Sequence, residues 1–210
     1  NSLVSEMKFP LISLVVSGGH TDIIYMKEHF SFKKIGSTLD DAVGESFDKV
    51  ARVLGLGYPG GPKVSKMAEK GKANIIFSKP NDTLGYNFSF SGKKTAVINY
   101  IHKLEQAKQD IPVEDICASF ESLAVNELVE KTIKATLDSG YKNIVIAGGV
   151  SANKKLRETL TKKAEENGLK CFVPAFEYCT DNAAMIGSAA YYAYKDGIGI
   201  ADMSLAPKPS

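Results

Sequence analysis

Apolar positions change their period along the chain, and those changes predict its elements. Leu11 to Val16 is a continuous apolar run rich in branched residues, with the length of a buried strand. Ser17-Gly18-Gly19-His20 forms a tight turn, and Thr21 to Met26 reads as the return strand of a hairpin. Phe30 to Ile35 alternates loosely and predicts a third strand. The period then becomes helical. Thr38-x-x-Asp41 has the form of a capping box, Val43, Phe47, Val50 and Leu54 follow at helical spacing, and Gly55 stands at the C-cap. Gly57 to Pro62 is a glycine-proline loop, with Pro62 suited to the first turn of a helix running to about Gly71. Residues 73–92, with Pro80, Gly85 and Gly92, lack a clear period and predict irregular or short hairpin structure.

Thr95 to Lys108 predicts a helix. Pro112 opens another, with Ile116, Phe120, Leu123 and Leu128 on one face and an end near Gly140. Asn143 to Ala147 reads as a buried strand and Lys170 to Val173 as a second. Between them a helix from about Ala152 to Asn167 turns Leu156, Leu160 and Ala164 inward and stops at Gly168. A last helix, rich in Ala, Gly and Ser, begins at Asp181. Strands first, then strands alternating with helices, predict an α/β fold with a mixed sheet flanked by helices.

Composition narrows the class. The 210 residues suffice for one sizeable core or one large lobe of a two-lobed protein. With 44% apolar and 24% charged residues the chain is not disordered by composition. A net charge of +2 does not mark a dedicated nucleic-acid or membrane surface. The cysteines, Cys117, Cys171 and Cys179, are odd in number and form no C-x-x-C, which points to a reducing, cytoplasmic setting. No apolar run approaches the ~20 residues that span a bilayer. The opening Asn1-Ser2-Leu3, so close to a strand, suggests a fragment or processed chain.

Three glycine loops are candidate phosphate cradles. In Val15-Val16-Ser17-Gly18-Gly19-His20-Thr21, a glycine pair after a strand lets backbone N–H groups meet an anion, with Ser17 and Thr21 as possible hydroxyl donors. A plain hairpin turn is the other reading. In Ile144 to Asn153 a strand feeds Gly148-Gly149 into a helix start that offers unpaired N–H groups and a positive dipole end to an anion, and a helix capped by Ser151 or Asn153 is the other reading. Gly57 to Pro62 reads by itself as a connector. The dinucleotide and P-loop fingerprints are both absent. Asp48 lies off the Val43-Phe47-Val50-Leu54 stripe, either solvated or turned toward the glycine loops. Asp181 is either an N-cap or one oxygen ligand of a metal. His20, His29 and His102 are too scattered to complete such a site, so further ligands have to come from elsewhere.

Six segments in order, VVSGGHT at 15–21, GESFDKVAR at 44–52, GYPGGP at 57–62, FSFSGKKTA at 88–96, IAGGVSANKKLR at 146–157 and CTDNAAMIG at 179–187, resemble the TsaD family. Archaeal and eukaryotic relatives of that family sit in the KEOPS complex. The resemblance implies an actin/Hsp70/sugar-kinase (RNase H-like) fold, with residues 1–210 as the C-terminal lobe and the N-terminal lobe missing from this chain. It implies that Val15, Val16, Ser17, Gly18 and Gly19 line the phosphates of an adenine nucleotide or threonylcarbamoyl-AMP. Asp48, Gly61, Gly148, Gly149 and Asn153 become further ligand contacts. Asp181 becomes the carboxylate ligand of Fe2+ or Zn2+, completed by two histidines outside this chain. His20 is the candidate general base. Some members carry an acid where this chain has Ser65.

The reaction implied is transfer of threonylcarbamoyl from threonylcarbamoyl-AMP to the exocyclic amine of the adenosine beside the anticodon, in tRNAs reading ANN codons. tRNA and TsaB-like and TsaE-like proteins are the implied partners, without a membrane. The chain alone is expected to be inactive. A small-molecule kinase or carbamoyltransferase of the same superfamily, and a nucleotide-binding subunit without catalysis, are the competing readings. A metallopeptidase is disfavoured because H-E-x-x-H is absent.

Overall fold

A computed structural model of the chain describes residues 7–77 and 84–199. Pro80 and the Asn1-Ser2-Leu3 opening lie outside these residues. Five strands form one mixed sheet: β1 Leu11–Val16, β2 Thr21–Glu28, β3 Ser31–Ser37, β4 Asn143–Ala147 and β5 Lys170–Phe172. Their order is β3-β2-β1-β4-β5. β1, β2 and β3 are an antiparallel meander, whereas β4 and β5 run parallel to β1. A parallel pair needs a long crossover, and the helices between β3 and β4 supply it. This is the α/β fold, a mixed sheet flanked by helices, that the sequence predicted. β1 is central, and Ile12, Leu14 and Val16 are fully buried, which accounts for its continuous apolar run.

The helices are α1 Val43–Val53, α2 Gly60–Ala68, α3 Ser91–Gln106, α4 Val113–Ser139, α5 Lys154–Glu166 and α6 Ala183–Lys195. α4 packs against β1, α2, α3 and α5. Coverage from several sides widens its apolar surface beyond the single stripe read from the sequence. Cys117, Ala124, Val125 and Val129 are buried, and Leu123 is only half-buried. Phe120 meets Phe47 of α1 edge-on, with ring centroids 5.0 Å apart.

Two helix starts differ from expectation, for one reason: their caps come from distant residues. The Thr38–Asp41 capping box does not form. The N-cap of α1 is Ala42, without a side-chain cap, and the Val43 N–H donates instead to Thr21 Oγ1 at 2.9 Å. Thr38 Oγ1 donates to the Asp41 carbonyl in a turn. α3 begins at Ser91, four residues before the predicted start, because Asp40 Oδ1 accepts the Phe90 and Ser91 N–H groups.

The Asp41 carboxylate is used differently. It holds Lys49 of α1 at 2.6 Å and Lys94 of α3 at 2.7 Å. Burial pushes the Asp41 carboxyl up, but the hydrogen bonds from Lys49, Lys94 and Ser91 outweigh it and hold it below its ordinary value of 3.8. A depressed native value means that the contribution is present above the ordinary value and fades as pH falls through the native one. Asp41→Asn is therefore expected to lower stability by about 1 kcal/mol at neutral pH, a figure reduced for the partial exposure of the lysines. The deficit closes below about pH 4. Urea denaturation at pH 7 and at pH 3 checks it, and an equal deficit at both would rule out this electrostatic account.

α6 buries none of its residues. Met185, Ile186, Tyr191 and Tyr194 are exposed, and Tyr192 stacks on His29 at 3.8 Å. Among the described residues no helix is long and apolar enough to cross a membrane.

Candidate functional site

The three glycine loops, far apart in sequence, meet at the ends of β1 and β4 and the starts of α1 and α2. Parallel pairing of Val15 with Ala147 sets the first loop beside the second. Gly148, at φ 91°, packs so closely on β1 that an added Cβ would lie 2.3 Å from the Val16 carbonyl oxygen. Gly44 at the start of α1 meets the first loop, where a Cβ would lie 2.6 Å from the Ser17 carbonyl oxygen and 2.9 Å from Gly18 Cα. Gly60 packs on Asp48, 2.6 Å from its Cα by the same measure. These contacts require glycine. By contrast Gly18, Gly19, Gly61 and Gly149 have no atom within 4 Å of an added Cβ. Four of the residues expected to meet a ligand thus border open space.

Within the first loop, Ser17 Oγ accepts the N–H groups of Gly19 at 3.3 Å and His20 at 3.0 Å. The turn is thereby shaped by its own serine. Thr21 does not turn toward a ligand: it is fully buried, and its hydroxyl accepts the first amide of α1. His20 is exposed at the hairpin tip. Asp48 turns toward the third loop, where Oδ1 accepts the Gly60 N–H at 2.7 Å. It thus holds the start of α2, which begins inside the segment read as a connector.

Asn153 is the N-cap of α5, and its Oδ1 accepts the Leu156 N–H at 2.8 Å. A 3-10 turn, Gly149–Ala152, separates the glycine pair from that helix. The Asn153 Nδ2 group donates to Glu121 Oε1 at 2.7 Å and to Ser65 Oγ at 2.9 Å. Ser65 in turn donates to Glu121 Oε1 at 2.7 Å. Glu121 was not among the residues singled out from the sequence. It sits beside Phe120 in an apolar helix, and its partners are 56 and 32 residues away.

Asp181 is not the cap of α6; Asn182 is, accepting the Met185 N–H at 2.9 Å. The Asp181 carboxylate is exposed and forms no hydrogen bond or ion pair among the described residues, so both oxygens are available to a cation. The described residues contain no group of three or more His, Cys, Asp or Glu able to hold a metal. An exposed, unengaged carboxylate has the chemistry of an oxygen ligand, but Asp181 alone among the described residues would not complete a metal site. The preceding Cys179 is tied to α5, since Arg157 donates from Nη2 to its Sγ at 2.8 Å and from Nε to the Ser151 carbonyl at 2.6 Å. That tether keeps the segment before Asp181 next to the Gly149–Ala152 turn. Neither Cys117 nor Cys171 sits in surroundings that favour a thiolate. Burial, then the charges of Glu121 and Glu114, push the Cys117 thiol up to about 12, and burial pushes Cys171 up to about 11.

A family model described as tRNA N6-adenosine threonylcarbamoyltransferase, TsaD, matches residues 1–188. A tRNA N6-adenosine threonylcarbamoyltransferase of Caldicellulosiruptor saccharolyticus is 54% identical over 187 residues, covering 89% of this chain and 56% of the relative. That of Bacillus subtilis is 50% identical over 210 residues, covering 99% of this chain and 61% of the relative. The chain thus spans about three fifths of the length of these relatives. Among solved structures, HypF from T. kodakarensis superposes with a TM-score of 0.65 at 16% identity, over 89% of this chain and 34% of that one. At that identity the likeness is one of fold. Half the residues shared with the relatives over nearly the whole chain is a match of another order, and by it the chain belongs to the TsaD family of tRNA N6-adenosine threonylcarbamoyltransferases.

Proposed function

We propose that the chain is the C-terminal lobe of a two-lobed tRNA threonylcarbamoyltransferase, and that its glycine loops hold the nucleotide half of threonylcarbamoyl-AMP. The observation that carries the reading is the packing of the three loops on one another through Gly148 on Val16, Gly44 on Ser17 and Gly60 on Asp48, with Gly18, Gly19, Gly61 and Gly149 each bordering open space. In this reading the exocyclic amine of the adenosine beside the anticodon, in tRNAs reading ANN codons, attacks the carbamoyl carbonyl carbon. The bond from that carbon to the phosphate oxygen breaks, AMP leaves, and the amine's proton passes to a base. His20, exposed at the loop tip, is the candidate for that base. The Gly18 N–H forms no hydrogen bond among the described residues and is free to meet phosphate or a developing oxyanion. Asp181 and two histidines from the other lobe would hold Fe2+ or Zn2+, which when bound supplies Lewis acidity to the carbonyl. The target base lies in a loop of tRNA, where no duplex has to be opened. TsaB-like and TsaE-like proteins are the proposed partners, in the cytoplasm.

Nucleoside mass spectrometry of tRNA tests the reading. Cells depleted of the two-lobed protein are expected to lose threonylcarbamoyladenosine and to regain it when that protein is restored. The 210-residue chain alone is expected not to restore it. An unchanged level on depletion would return the function to the kinase or binding-subunit alternatives.

A further inference from the structure

The loop from Gly57 to Pro59 carries the most exposed aromatic side chain among the described residues. Tyr58 is 80% exposed, stacks on no other ring and forms no hydrogen bond there. The loop is fixed to α1 at both ends, which holds the ring in water. The Leu56 N–H donates to the Ala51 carbonyl at 2.9 Å, and the Gly60 N–H to Asp48 Oδ1 at 2.7 Å. A single exposed aromatic is ordinary on a protein surface. One held out by its own backbone, amid cations without partners, is not.

Residues 51–72 carry Arg52, Lys63, Lys66, Lys70 and Lys72 against one acid, Glu69, a net +4 where the whole chain carries +2. All five cations are exposed, and none forms an ion pair among the described residues. The acids just before them are already engaged: Glu45 holds Lys49, and Asp48 Oδ1 takes the Gly60 N–H. Lys63 reaches back over the loop, its Nζ 2.9 Å from the position of a Cβ on Gly57, beside Tyr58. Lys66 follows one turn later on α2. An exposed ring also suits a protein partner, but protein interfaces are depleted of lysine. A ring set among unpaired lysines suits single-stranded nucleic acid, whose bases stack on the ring and whose phosphates meet the cations.

We propose that Tyr58 is a stacking platform for an unpaired base of the tRNA loop that holds the target adenosine, with Lys63 and Lys66 meeting the phosphates beside that base. The inference rests on the tRNA substrate proposed for the site. Tyr58 stands three residues before Gly61, so at most ~11 Å of chain separates it from the open side of that glycine. A tRNA whose adenosine reaches an acyl group held by the glycine loops brings the neighbouring unpaired nucleotides over this rim. Tyr58 touches no reacting atom in this arrangement and is a positioning residue. Stacking is open to every base, which suits tRNAs whose loop sequences differ.

Fluorescence anisotropy of an anticodon stem-loop, titrated across a salt series with the two-lobed protein assembled with its TsaB-like and TsaE-like partners, tests it. Tyr58→Ala is expected to bind the stem-loop about tenfold more weakly with an unchanged salt dependence, and Tyr58→Phe, which keeps the ring, to match wild type. Lys63→Ala combined with Lys66→Ala is expected to weaken binding and to lower the slope of log affinity against log salt by about 1.4. AMP binding and thermal unfolding are expected to stay as in wild type throughout, which separates RNA positioning from the nucleotide site and from folding. Wild-type affinity and salt slope in both Tyr58→Ala and the double lysine variant would overturn the inference and leave the tRNA reading standing. Dissociation of a protein partner from the variant assemblies would make this face a protein interface and overturn it as well. A wild-type assembly that binds no stem-loop would overturn the tRNA reading itself.

Discussion

Gly148→Ala is expected to lower the unfolding free energy by about 3 kcal/mol or more. Gly148 adopts φ 91° and ψ 165°, a region that side chains strongly disfavour. Its Cβ position lies 2.3 Å from the Val16 carbonyl oxygen and 2.8 Å from the Val16 carbonyl carbon. Those atoms are backbone of the central strand, so no side chain can swing aside. Admitting the methyl group means moving the end of β4 off β1 and losing the Val15–Ala147 register that sets the two loops together. Gly149→Ala, with open space around it, is expected to stay within about 1 kcal/mol of wild type. Urea denaturation of the pair reads the difference. Equal stabilities would mean that β1 and β4 do not need this close approach. Nucleotide binding should fall with Gly148→Ala as well, since the same contact shapes the site.

Asp181→Ala in the two-lobed protein is expected to reduce threonylcarbamoyl transfer by at least about 10²-fold while leaving the unfolding transition within about 0.5 kcal/mol. The combination is informative because the side chain is exposed and unengaged among the described residues, and the cap of α6 is Asn182. Asn182→Ala is the converse control: it removes a capping bond worth about 1 kcal/mol and keeps the carboxylate. Single-turnover transfer assays with metal content measured alongside decide the matter. Full activity of Asp181→Ala would exclude it as a ligand.

The sequence revealed what local pattern controls. The branched run of β1, the stripe of Leu156, Leu160 and Ala164, and the glycines at 55, 140 and 168, which take positive φ after helix ends, all lie where periodicity and turn chemistry put them. Contacts between distant residues were hidden. Asp40 caps a helix 50 residues away, so α3 started earlier than its own residues suggested. Thr38 and Asp41 have the spacing of a capping box, but the Thr38 hydroxyl turns to the Asp41 carbonyl and the Asp41 carboxylate to Lys49 and Lys94. In the candidate site the glycine loops stood out because glycine in such runs is chemically conspicuous. Glu121 did not, because a lone acid in a helix carries no local mark of being buried, and its partners come from two other helices. Asn153 was legible as a cap or a contact; that its amide is consumed by a neighbouring acid needed coordinates.

Helix α6 has a consequence for how the chain holds together. Thirteen residues do not sustain a helix in water by propensity alone, and this one adds no buried side chain to the core. Its opening free energy sits at the low end of the scale, far below that of the sheet. The cooperative folding unit of the described residues therefore closes before this helix. The unit closes at Cys179, buried under Arg157 and the Ala175 carbonyl. Beyond it, whatever surface covers Met185, Ile186 and the tyrosines adds its binding free energy directly to the helix, so that ordering this segment and assembling it with its cover are one thermodynamic event.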